Sequence, residues 1–130
     1  MALRKYAAPV TADTTLVTTA ETVIATLSGA QTIRQGEPVN LHGWFQITLG
    51  TNTTAVTVRV RRDSLAGALV QEANVVQISS AAGSTEEHEI DVQDVPANET
   101  PNLVYVLTVA QTAASANGSV LQAKLDAEVG

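Results

Sequence analysis

The feature that most constrains the fold is a period-two alternation of apolar and polar residues that recurs along the chain. Residues 38–49, written PVNLHGWFQITL, place apolar side chains on one face, at Val39, Leu41, Phe45, Ile47 and Leu49. The other face of the same segment carries Asn40, His42, Trp44, Gln46 and Thr48. Because successive side chains of a strand point to opposite sides of a sheet, this pattern predicts a strand with one buried face.

The same pattern predicts about eight short strands and no confident helix. The predicted strands are residues 14–19, 21–27, 38–49, 55–62, 70–78, 86–92, 103–110 and 119–129. A helical turn through residues 64–73 is the competing interpretation of one region. Gly50 to Thr53 reads as a turn, so we expect residues 38–49 and 55–62 to pair as an antiparallel hairpin.

Strands joined by short polar, glycine-containing connections predict an all-β fold, an antiparallel two-sheet sandwich. A jelly roll is the first choice and an immunoglobulin-like sandwich the alternative. The 130 residues fit one domain, which we place at residues 13–130. Residues 1–12 show no sustained periodicity and contain Pro9, so we expect an N-terminal arm that is mobile until a partner orders it.

Charge and composition narrow the classes of partner. The formal net charge is −6, and the basic stripe that nucleic-acid binding requires is absent, so we expect no nucleic-acid partner. No segment approaches the roughly 20 apolar residues of a membrane span, so we expect no membrane partner. The opening MALRKYAAPV lacks the apolar run of a cleaved signal, which favours manufacture in a cytoplasm.

No residue pattern points to catalysis, a cofactor or a metal. The chain has no cysteine, and its two histidines, His42 and His88, lie on different predicted strands without ligand spacing. Neither a Gly-x-Ser-x-Gly elbow nor a glycine-rich phosphate loop occurs. We therefore expect a protein that is not an enzyme and uses no cofactor. The acidic segment that contains Asp91, Asp94 and Glu99 is typical of a solvated face. The alternative interpretation is a calcium site formed by these three residues.

Two clusters of opposite charge are candidates for a subunit interface. Arg59 and Arg61 share one strand face, and Glu87, Glu89 and Asp91 share a face of another strand. Such pairs either form within one protomer as exposed ion pairs or form between protomers and set their orientation. Trp44, on a polar strand face, is predicted to make a subunit contact.

The segments AVTVRVRRDSLAG (55–67) and NLVYVLTVAQTAASANGSVLQAKLDAEV (102–129), preceded by an arm, resemble the small jelly-roll decoration (cement) proteins of tailed bacteriophage capsids. The resemblance implies a non-catalytic virion structural protein. It also implies a homotrimer on the capsid surface, assembled in the host cytoplasm, with the major capsid protein as partner. Arg4, Lys5 and Tyr6 of the arm would then make the capsid contact.

The alternative function is a carbohydrate- or receptor-binding module of a phage fibre or surface protein. Modules of this kind usually display clustered aromatic side chains on loops. The predicted loops here consist mainly of Ala, Ser, Thr and Gly and contain no aromatic residue. The sequence therefore favours the virion structural role over the binding module.

Overall fold

In a computed structural model, the described residues of the chain form nine β-strands and contain no helix. The structure describes residues 4–16, 19–29, 32–48, 55–77, 85–99, 101–102, 104–111 and 118–129. The strands are β1 (Arg4–Ala7), β2 (Thr11–Thr15), β3 (Thr22–Ser28), β4 (Val39–Thr48), β5 (Ala55–Arg62), β6 (Leu69–Gln77), β7 (Thr85–Asp94), β8 (Val104–Gln111) and β9 (Ser119–Val129).

The strands form two antiparallel sheets, which confirms the predicted sandwich. In the five-stranded sheet, β1 and β2 both pair with β9, and the order continues through β4 to β7. The four-stranded sheet has the order β3-β8-β5-β6. In the described ranges, no helical segment combines the length and apolar character that crossing a bilayer requires.

The strand pairs are nested along the sequence. β2 pairs with β9, β3 with β8, β4 with β7, and β5 with β6. This pairing is that of one long antiparallel hairpin rolled into two layers. The topology is therefore a jelly roll, the first of the two sandwich types predicted from the sequence.

The predicted hairpin between residues 38–49 and 55–62 is wrong. β4 pairs with β7 and β9, whereas β5 pairs with β6 and β8 in the other sheet. The predicted turn from Gly50 to Thr53 lies outside the described residues. Alternation could not separate the two cases, because a strand has one buried face whether its successor lies beside it or across the core.

The core lies between the two sheets, and the alternation predicted for β4 is confirmed. Val39, Leu41, Phe45 and Ile47 are all buried, while Leu49 lies outside the described residues. Gly43 shares this inner face, and a Cβ there would lie 2.8 Å from Cγ2 of Ile90. The glycine therefore leaves room for packing at the centre of the sandwich.

Most of the predicted strand ends lie within two residues of the observed ones. The strand predicted over residues 70–78 is observed as β6, so the alternative prediction of a helical turn through residues 64–73 is wrong. The N-terminal segment differs more, because β1 and β2 pair with β9 and the expected boundary at residue 12 falls inside β2. Pro9 lies between β1 and β2, where no ladder hydrogen bond is required of it.

Candidate interaction surfaces

The outer side of the five-stranded sheet is a broad polar surface, here called the polar sheet face. Its rows follow from the strand register: Trp44 lies between Glu89 of β7 and Lys124 of β9. In the next row, His42 lies between Asp91 and Asp126. The residues of this face include Lys5, Asn40, His42, Trp44, Gln46, Glu87, Glu89, Asp91, Gln93, Gln122, Lys124, Asp126 and Glu128.

Side-chain hydrogen bonds connect β4 and β7 across this face. Asp91 Oδ1 lies 2.7 Å from His42 Nδ1, and Gln46 Nε2 donates to Glu87 Oε1 at 2.7 Å. Glu87, Glu89 and Asp91 share the outer face of β7, as predicted. Its carboxylates contact neighbouring polar residues of β4.

A groove of about 680 Å³ lies on the polar sheet face. Its polar lining includes Lys5, Asn40, His42, Lys124 and Asp126. Oδ1 of Asp126 is enclosed and has no hydrogen-bond partner among the described residues. The volume falls within the range of small-molecule sites, roughly 300–1,000 Å³. Trp44 belongs to the same face but does not line the groove.

Arg59 and Arg61 bind a carboxylate that the sequence did not single out, that of Glu21. Arg61 donates from Nε to Glu21 Oε2 at 2.7 Å and from Nη2 to Oε1 at 2.9 Å. Arg59 Nη1 lies 3.3 Å from Glu21 Oε1, and the buried Thr108 hydroxyl donates to Glu21 Oε2 at 2.6 Å. The hydrogen bonds from Arg61 lead the interactions that lower the pKa of Glu21 against the effect of burial.

Within one protomer, a pairing of Arg59 and Arg61 with Glu87, Glu89 and Asp91 is therefore wrong. The inward residues of β5 are Val56, Val58 and Val60, and those of β7 include Ile90 and Val92. The two charged clusters consequently lie on opposite outer surfaces of the sandwich. Sequence alternation placed each cluster on its own face but could not assign the two strands to different sheets.

Arg62 points in the opposite direction from Arg61, between the sheets. Its Nε donates to Asp94 Oδ2 at 2.7 Å, and the Tyr105 hydroxyl donates to the same oxygen at 2.6 Å. Asp94 is 5% exposed and Tyr105 1%. Burial alone would raise the pKa of Asp94, but hydrogen bonds from Arg62 and Tyr105 outweigh it and hold the pKa below its ordinary value. Burial and the bond to Asp94 raise the pKa of Tyr105.

The three residues of the calcium alternative do not come together. Asp91 faces outward beside His42, whereas Asp94 faces inward and binds Arg62 and Tyr105. Glu99 lies exposed in the connection after β7. Among the residues that the structure describes, no group of three His, Cys, Asp or Glu side chains could hold a metal ion.

The residues of the predicted capsid contact have different surroundings. Arg4 forms an ion pair with the buried Glu37 and donates from Nη1 to the Thr32 carbonyl oxygen at 3.2 Å. Tyr6 is partly buried and packs against the core. Lys5 projects outward with 73% of its side chain exposed, and its Nζ lies 3.4 Å from Glu128 Oε1.

The remaining histidine, His88, lies on the inner side of β7. Its ring lies beside that of Phe45, with centroids 5.6 Å apart. Its Nε2 is 3.5 Å from Glu86 Oε2. His88 and His42 therefore lie on opposite sides of the sheet.

Neither a protein family nor a curated protein sequence matches this chain. Its fold is similar to solved structures of infectious bursal disease virus. A structure of the Gx strain has a TM-score of 0.63 at 7% identity, covering 98% of this chain and 32% of the virus chain. The crystal structure of the VP2 subviral particle has a TM-score of 0.61 at 8% identity, covering 97% and 32%.

A crystal structure of the T13 viral particle of the same virus has a TM-score of 0.61 at 7% identity, covering 96% of this chain and 31% of that chain. This chain therefore spans about a third of the length of the virus chains that it matches. At these identities the likeness shows a shared fold and no more.

Proposed function

We propose that this chain is a non-catalytic structural protein of a virus particle. The observation that carries the proposal is the likeness of almost the whole chain, 98%, to part of a virus structure at a TM-score of 0.63. More specifically, we propose that it is a decoration protein of a tailed-bacteriophage capsid. It binds the major capsid protein at the capsid surface as a homotrimer, and assembly takes place in the host cytoplasm.

The polar sheet face is the surface best suited to contact the capsid. Trp44 is half-buried there, with Glu89 and Lys124 as its cross-strand neighbours. Large aromatic side chains ringed by polar groups are typical anchors of protein interfaces. We assign this contact to Trp44, Glu87, Glu89 and Asp91, with Lys5 added from the predicted arm contact.

Four other residues of the predicted contacts also serve the protomer itself. Arg59 and Arg61 bind Glu21, and Arg4 binds Glu37. Tyr6 packs against the core. A capsid contact through these arginines would have to compete with their ion pairs inside the protomer. We therefore assign the contact to the polar sheet face.

Co-sedimentation with capsids that lack the protein tests the proposal. We expect the wild-type chain to pellet with the capsids, and both Trp44→Ala and Glu89→Lys to bind at least about tenfold more weakly. Thr26→Lys is the control, because it adds a cation at an exposed position of the other sheet. Failure of the wild-type chain to bind would contradict the function. Normal binding by both variants would contradict the assigned face.

The groove supports one second candidate, a carbohydrate-binding or receptor-binding module of a phage fibre or surface protein. Its lining offers amide, imidazole and carboxylate groups, which can hydrogen-bond to sugar hydroxyls. A glycan array probed with the isolated protein tests this candidate. Binding that is lost in Asp126→Asn but kept in Glu99→Gln would favour it over the capsid role.

A further inference from the structure

Three connections meet at one end of the sandwich, here called the Arg34 end, and its described residues are 32–37, 62–69 and 94–99. The Gly36 amide donates to the Pro96 carbonyl at 3.0 Å, and the Asp63 amide donates to the Val104 carbonyl at 3.0 Å. Arg62 and Asp94 join the second and third connections by their ion pair. These contacts hold the connections in one surface.

The Arg34 end exposes more large apolar side chains than the other described parts of the surface. The described residues include four large hydrophobic side chains that are exposed, and three of them lie at the Arg34 end: Leu65 at 43%, Leu69 at 46% and Val95 at 50%. The fourth, Val10, lies between β1 and β2. Clustered exposed apolar side chains mark interaction sites more often than scattered ones do.

The same end holds charged side chains that form no ion pair with any residue that the structure describes. All seven Lys and Arg residues lie in the described ranges, and six of them form ion pairs: Arg4, Lys5, Arg59, Arg61, Arg62 and Lys124. Arg34, exposed in the β3–β4 connection, forms none in the part of the chain that the structure describes. Among the same described residues, Asp63 and Glu99 are exposed at this end and also form no ion pair.

We propose that the Arg34 end is the surface through which copies of this chain associate. Leu65, Leu69 and Val95 cover the corresponding side chains of a second copy. Arg34 pairs with Asp63 or Glu99 of the partner subunit. The occupant is a second copy because the patch carries unpaired charges of both signs next to its apolar residues and is therefore complementary to itself. In the proposed homotrimer, the patches of the three copies would meet around the threefold axis, with Arg34 of each copy directed at the next copy.

This inference rests on the proposed function in one respect: the Arg34 end is the surface through which the proposed homo-oligomer would form. Arginine is enriched among the residues that dominate interface energetics. Apolar side chains that gather around it would exclude water and strengthen its ion pair. The polar sheet face is a separate surface, so one copy can contact its neighbours and the capsid at the same time.

Sedimentation equilibrium over a range of protein concentrations tests the apolar part. We expect the wild-type chain to be a closed oligomer, and the pair Leu65→Ser with Val95→Ser to raise the dissociation constant roughly tenfold or more. Val10→Ser is the matched control, because Val10 is 55% exposed and lies outside the Arg34 end. Circular dichroism should show an unchanged sheet signal in each variant. Equal masses for the wild type and the folded double variant would overturn the proposal.

Charge reversal tests the ion pair. We expect Arg34→Glu to weaken association, and Arg34→Glu combined with Asp63→Arg and Glu99→Arg to restore it. Lys5→Glu is the control, because it makes the same change at an exposed cation elsewhere. Association of Arg34→Glu at the wild-type level would overturn the role of Arg34.

A wild-type chain that is monomeric at all concentrations would overturn the inference. Its co-sedimentation with capsids would still decide the proposed function separately.

Discussion

Arg62 of the four-stranded sheet and Asp94 of the five-stranded sheet form an ion pair that crosses the interior of the sandwich. Nε of Arg62 lies 2.7 Å from Oδ2 of Asp94, and the Tyr105 hydroxyl donates to the same oxygen. Asp94 is almost fully buried, whereas 39% of the Arg62 side chain is exposed. The buried carboxylate is thus compensated by a cation whose charge remains in contact with water.

We expect Asp94→Ala to lower the free energy of unfolding by about 2–3 kcal/mol. The substitution leaves the Tyr105 hydroxyl and the Arg62 guanidinium without their acceptor, and the exposure of Arg62 keeps the cost below the 3–5 kcal/mol of a fully buried pair. Urea denaturation measures the loss. Asp91→Ala on the same strand is the control and should change stability by less than about 1 kcal/mol, because Asp91 is 82% exposed. Equal losses would contradict the role of the inter-sheet pair.

Stability should fall on acidification. The pKa values of Asp94 and Glu21 are lowered in the folded state, so the unfolded chain binds protons first as the pH drops. Their contribution is present above the ordinary carboxyl pKa, about 4, and is lost as the pH falls through the lower folded values. We expect the free energy of unfolding to decrease below about pH 5. The double variant Asp94→Asn with Glu21→Gln should show a shallower decrease, and an unchanged pH dependence would contradict the assignment.

Glu21→Ala should destabilise the protein by roughly 1–3 kcal/mol. The change leaves the buried Thr108 hydroxyl without its short bond and leaves two arginines side by side with no carboxylate between them. Thermal unfolding followed by circular dichroism measures the loss. Glu89→Ala, which removes an exposed carboxylate from the polar sheet face, is the control and should leave the Tm nearly unchanged.

Deleting residues 2–8 should lower the free energy of unfolding by roughly 2–4 kcal/mol, because it removes β1 and leaves the buried Glu37 without Arg4. Lys5→Ser, which removes an exposed charge and keeps the strand, should have little effect. The sequence-based expectation of a mobile arm predicts a nearly unchanged Tm for the deletion. Differential scanning calorimetry distinguishes the two outcomes.

Sequence periodicity predicted the elements of the fold because alternation reports directly on which face of a strand is buried. The residues of β4 show this, since their inward and outward sets follow the predicted parity. Periodicity could not predict which strands are neighbours. That is why the hairpin between residues 38–49 and 55–62 was wrong, and why β1, with only four residues, was read as an arm.

The charged contacts were less predictable than the strands. Arg59 and Arg61 were recognised as a cluster, but their partner, Glu21, lies some forty residues away in sequence and carries no local signal. Arg62 follows Arg61 directly and points to the other side of the sheet, where Asp94 is buried. Long-range ion pairs of this kind depend on the topology, which composition and alternation leave open.

The nested pairing of the strands also has a consequence for how the chain can fold during synthesis. β9 is made after the other eight described strands, yet it lies between β1, β2 and β4 in the five-stranded sheet. β5 and β6 are the one nested pair that is adjacent in sequence, so they can associate early. Folds dominated by such distant pairs have a high contact order and fold slowly. β1 and β2 must therefore wait, without their partner, until β9 has left the ribosome.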